Sequence, residues 1–85
     1  MPTRRPNVPP SAQMRAQILT AIAERLAHLG LTQKEAATLL GLAQPQISAL
    51  MNERSEGFSL DRLVDIAVRA GMSVRLAVTR PYKRD

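Results

Sequence analysis

The stretch from Leu31 to Asn52 constrains this chain more than any other, because it sets two short helix-forming runs around one glycine. Thr32-Gln33-Lys34-Glu35 reads as a capping box, in which the Thr32 hydroxyl accepts from the Glu35 amide and the Glu35 carboxylate reaches back. A helix then runs to Leu40 with Ala36, Ala37 and Leu40 inward. Gly41 stops it at a place where a positive φ is cheap. The next helix covers about Gln44 to Asn52, with Pro45 in its first turn, where the missing N–H costs nothing. Counting Gln33 as the first residue, the fifth is Ala37, small where the helices cross, and the ninth is Gly41, at the turn. The fourth, eighth, tenth, fifteenth and eighteenth are Ala36, Leu40, Leu42, Ile47 and Leu50, all apolar. Such a pair must bury its inner side against further helices.

The flanks supply them. From Ala12 to Leu29 neither Pro nor Gly intervenes. Met14, Ile18, Ile22, Leu26 and Leu29 recur at steps of four and three, which makes a first amphipathic helix with Ser11 as its N-cap and Gly30 as its stop. After a polar loop over 53–58, Ser59 caps another helix whose inner face is Leu60, Leu63, Val64 and Ala67, with Asp61 in the first turn and Gly71 beyond the end. The period then changes to two: Val74, Leu76 and Val78 alternate with Arg75, Ala77 and Thr79, hence a strand closed by Pro81. No second strand is evident, and a lone strand leaves its backbone unpaired. Antiparallel pairing with the strand of a second copy is the economical solution, so Val74, Leu76 and Val78 are the expected dimer contacts. A strand docked on its own chain's helices is the other solution. The expected organisation is a Pro-rich basic arm over 1–10, a helical domain over 11–72, a dimerising strand over 73–80 and a basic tail over 81–85. The fold class is mainly α, with four to five helices and the C-terminal strand.

Two short helices joined by a glycine-containing turn are the helix-turn-helix signature. The outward side of the second helix of the pair keeps Gln44, Gln46, Ser48, Ala49 and Asn52 once Ile47, Leu50 and Met51 are set inward. Solvated helix faces usually carry Lys and Glu; this one carries amides and small residues. Glutamine makes a bidentate contact with adenine and alanine touches a thymine methyl, so Gln44, Gln46, Ser48 and Ala49 are candidate base contacts in the major groove. Gln33, at the start of the preceding helix, is placed to hold a phosphate, with Lys34, Asn52, Arg54 and Ser59 as further phosphate candidates.

Charge agrees with such a partner. Of 85 residues, 12 are Lys or Arg and 7 Asp or Glu, a net +5. Residues 1–15 and 69–85 carry +3 and +4, while 16–68 carry −2. Basic ends around a near-neutral middle suit a polyanion. With one Phe, one Tyr and no Trp, stacking on single-stranded bases has little to work with. No Cys and a single His, His28, leave no thiolate site, no multi-His metal site and no triad. Glu53/Glu56 and Asp61/Asp65 read as solvated pairs, so no catalytic residue, metal or cofactor is expected. No apolar run approaches the ~20 residues of a membrane span, and the expectation is a cytoplasmic protein.

At these residues the chain resembles the XRE family, the Cro/repressor-like helix-turn-helix proteins. The stretch LTQKEAATLLGLAQPQISALMNERSEGFSLDRLVDIAVRAGMSVRLAV, residues 31–78, looks closer still to its HigA-like antitoxin branch. The resemblance implies a five-element domain, a homodimer joined through the fourth helix and the strand, and binding to a palindromic operator in double-stranded DNA. It also implies a partner toxin of the HigB/RelE-like ribonuclease type, and autorepression. Glu53 departs from the pattern, standing where the family often has Gly after the third helix. Two other readings stand beside the antitoxin: a stand-alone, phage-type XRE regulator, and an interaction module that sequesters a protein partner.

Overall fold

A computed structural model describes residues 10–79, which hold four α-helices. The longest, α1 (Pro10–Leu29), begins one residue before the expected cap. Proline fits the first position of a helix because its φ is already helical and its missing N–H would have no partner there. Ser11 therefore lies inside the first turn instead of capping it.

Leu19, Ile22 and Leu26 are the fully buried line of α1, with Ile18 half-buried beside them. Met14 and Leu29, expected on the same face, are 39% and 38% exposed. A strict four-residue ladder winds round the helix, because four residues overshoot a full turn. Met14 lies about 120° around the axis from Leu26. Leu19, seven residues from Leu26, falls almost in line with it, a position the ladder skips. Leu29 sits in the last turn, beside the reversal at Gly30.

The short helices follow the local chemistry of their ends. In α2 (Gln33–Leu40) the capping box is complete: Glu35 N donates to Thr32 Oγ1 at 3.1 Å, and Thr32 N donates to Glu35 Oε1 at 2.9 Å. Gly41 is left-handed at φ 67°, and Leu42 N then donates to Ala37 O at 3.0 Å, turning the chain back on α2. Helix α3 (Gln44–Met51) starts without a capping hydroxyl, but Gln46 Oε1 accepts the Ala43 N–H at 3.1 Å. It ends one residue before Asn52, which serves as its C-cap. Helix α4 (Leu60–Arg69) is capped by Ser59, whose Oγ accepts from Arg62 N at 3.2 Å.

One core joins them. Ala36, Leu40, Leu42, Ile47 and Leu50, the five apolar places of the helix pair, are all buried. They meet the α1 line and Leu63, Ile66, Ala67 and Ala70 of α4 and its C-cap. Phe58 also turns inward at 6% exposure, although it stands in what reads as a polar loop. Helix α1 packs on α4 and α3, while α2 packs on α3 and α4. Two arginines close helix ends from within this frame. Arg25 Nε donates to Ala70 O at 3.0 Å and Arg69 Nη1 to Leu40 O at 3.3 Å. Each offsets the partial negative charge that collects at a helix C-terminus.

Beyond α4 the described residues contain no strand. Residues 73–79 have no regular structure within this single chain. The arm expected over 1–10 lies outside the described residues apart from Pro10, as do Arg80 and the tail 81–85. No helix among the described residues is long and apolar enough to cross a membrane.

Candidate nucleic-acid interface

The capping of α2 and the tight turn at Gly41 bring the first residues of α2 and α3 to the same end of the helix pair. Gln44 Nε2 lies 3.4 Å from Gln33 Oε1, a side-chain hydrogen bond between the two helix starts. Both glutamines are exposed. Helix N-termini carry unsatisfied N–H groups and a partial positive charge, so this end offers amide donors and a favourable field to an anion. The bond holds the Gln44 amide in one orientation while leaving its oxygen free to accept, which suits a paired contact with a base edge.

The other α3 residues are placed less uniformly than the sequence suggests. Gln46 is half-buried, its oxygen committed to the Ala43 N–H and its amide nitrogen free. Ser48 is half-buried and its carbonyl accepts the Asn52 side chain at 2.8 Å. Ala49 is packed against the core rather than standing free. An eight-residue helix seated on two sides by Ile47 and Leu50 leaves only a narrow outward strip, and Ala49 lies at its margin.

Among the phosphate candidates, Lys34, Asn52 and Arg54 are exposed. Asn52 folds its amide back onto Ser48 O, and Arg54 N donates to Ala49 O at 2.9 Å, so the chain closes tightly after α3. Ser59 is engaged at the start of α4. Its oxygen accepts from Arg62 N, and its hydroxyl hydrogen bond is the main cause holding the Asp61 carboxyl below the ordinary aspartate range, helped by the backbone N–H groups of Asp61 and Arg62.

Two features are not evident from motif spacing. Glu53 is left-handed at φ 53°, the one non-glycine residue with positive φ among the described residues. Its carboxylate accepts from Thr20 Oγ1 at 2.7 Å, tying the loop after α3 to α1. The departure from glycine at this place was the available signal. The second is Arg69, which reaches from α4 to the turn: a Cβ on residue 41 would come within 2.6 Å of its Nη1. Nothing in the local sequence pairs residues 41 and 69.

Among the described residues, no three His, Asp or Glu side chains cluster as a metal site would require. His28 is exposed at the end of α1.

A family model described as a helix-turn-helix domain matches residues 8–79. No curated protein matches the chain. A solved structure described as a candidate XRE family transcriptional regulator is similar over 88% of this chain and 85% of its own, at 30% identity and a TM-score of 0.79.

Proposed function

This chain belongs to the XRE-type helix-turn-helix family of DNA-binding transcription regulators, and from that membership we propose that it is a sequence-specific repressor that reads a palindromic operator as a homodimer. The observation that carries the reading is the Gln33–Gln44 pair at the joined starts of α2 and α3. In this reading Gln33 takes a backbone phosphate while steering Gln44, whose amide meets an adenine in the major groove. Gln46, through its free amide nitrogen, and the flanking Ser48 and Ala49 complete the contact strip. Lys34, Asn52 and Arg54 supply phosphate contacts around it, and Ser59 lies at the edge of this set. Val74, Leu76 and Val78 join the two copies, and the two half-sites lie about 34 Å apart on one face of the duplex.

We further propose that the regulator is the antitoxin of a toxin–antitoxin pair, repressing its own operon and neutralising a HigB/RelE-like toxin. The support is the similarity of residues 31–78 to that branch of the family. Co-purification with the product of the adjacent gene tests it, and a stand-alone regulator would bring no such partner down.

A gel shift with the promoter upstream of its own gene tests the repressor. The parent should retard this fragment far better than random duplex at moderate salt. Gln44→Ala should lose about 1–3 kcal/mol of specific binding with its helical circular dichroism unchanged. Equal binding by Gln44→Ala and parent would remove Gln44 from the groove.

A further inference from the structure

Two glutamines stand in the first turn of α3, and their amides are committed in opposite senses. Ala43, the N-cap, has no side-chain oxygen, so the Oε1 of Gln46, three residues on, accepts the Ala43 N–H at 3.1 Å. Chemistry fixes which way that amide lies: a backbone N–H needs an oxygen, and the amide nitrogen in its place would set donor against donor. The Nε2 of Gln46 makes no hydrogen bond among the described residues, so this side chain offers two N–H donors with its oxygen already turned to the backbone. Gln44 is the converse. Its Nε2 gives one hydrogen to Gln33 Oε1 at 3.4 Å and keeps the other, and its oxygen is uncommitted. Reaching back to Ala43 carries the Gln46 amide over the N-terminal end of α3, the end that the Gln33–Gln44 pair occupies.

We infer that Gln46 is a specificity-determining residue that presents donors alone and selects guanine, while Gln44 selects adenine in the same half-site. This rests on the repressor reading above and adds a second base to it. In the major groove guanine shows two adjacent acceptors, N7 and O6. Adenine sets a donor, N6, beside its N7; thymine sets a methyl beside O4; cytosine shows a donor. An amide nitrogen with two free hydrogens satisfies both guanine acceptors at once. Against adenine one of those hydrogens meets the N6 donor, and the oxygen that would have taken the adenine proton is held by the Ala43 N–H. Turning the amide round to read adenine would set Nε2 against that N–H and leave the start of α3 uncapped, and an unmatched donor excluded from water is costly. The backbone cap thus acts as a filter on the base. Two glutamines that look alike in the sequence become a donor-only reader at 46 and a donor–acceptor reader at 44.

The test uses the full chain and a pool of duplexes with random, two-fold symmetric half-sites. The duplex that the parent enriches is remade with each base pair exchanged in turn, and every version is titrated with parent and variants. The parent should show a G·C pair in each half-site whose exchange for A·T costs about tenfold in affinity, and that discrimination should vanish in Gln46→Ala at this pair alone. Replacing its guanine by 7-deazaguanine, which lacks N7, should weaken the parent and leave Gln46→Ala unaffected. Gln46→Glu keeps an oxygen for the Ala43 N–H, so its helical circular dichroism should match the parent. Its added charge should lower affinity for every duplex, and its preference at this one pair should pass from guanine to cytosine, whose N4 donates. Gln46 variants that lose affinity for all duplexes equally, with the guanine preference intact, make Gln46 a cap only and overturn the inference. A change of preference that falls on an A·T pair, or a parent indifferent to 7-deazaguanine, overturns the choice of guanine. A parent that enriches no sequence sinks the repressor and the inference together, whereas an enriched sequence indifferent to residue 46 sinks the inference alone.

Discussion

Glu53 bears a backbone conformation that costs an L-residue roughly 1–2 kcal/mol, and it is held there by one bond to Thr20. The two effects separate by mutation. In a Thr20→Val background, where the carboxylate has lost its partner, Glu53→Gly should raise stability by about 1 kcal/mol, measured as a higher urea midpoint at unchanged slope. In the parent the gain should be smaller, because the same change also discards the hydrogen bond. At this scale the sequence was legible wherever one residue type answers one backbone demand. Thr32 and Glu35 form their box, Ser59 caps, and Gly41 takes the left-handed turn. It was opaque where the cause lies across the fold. Leu19 and Ile66 are core residues because of the direction from which neighbouring helices approach. Phe58 is drawn in from a polar stretch by the apolar space beneath the loop.

Among elements, the two short helices owe their limits to end chemistry and their arrangement to tertiary packing, since eight residues make a marginal helix alone. The start of α4 has a pH dependence of its own. Hydrogen bonds from Ser59 and from backbone N–H groups lower the pKa of the Asp61 carboxyl in the folded chain. A carboxyl lowered by folding contributes stability above its unfolded value, and that contribution disappears as pH falls through the folded one. Thermal midpoints followed from about pH 5 to about pH 2 should therefore fall more steeply for the parent than for Asp61→Asn, with the two curves converging in acid. The segment 73–80 marks the limit of reading elements from sequence. Its two-residue period is plain, but a strand exists only with a ladder, and among the described residues it has no partner strand.

For the whole molecule, the proposed function divides the work: net charge governs encounter with DNA and the amide strip governs selection. Lys34→Ala should weaken binding to specific and random duplex alike, and should lower the slope of log affinity against log salt by about one unit in a salt titration. Gln44→Ala should leave that slope unchanged. The grip of Arg69 on the Leu40 carbonyl bears on what such a molecule tolerates in its target. It braces the turn between the two short helices against α4, so the pair cannot swivel freely on its support. One base pair added between half-sites rotates one of them by about 35° about the duplex. In the proposed dimer, with this strut inside each copy, that mismatch falls to torsion of the double helix and to the joint between the copies.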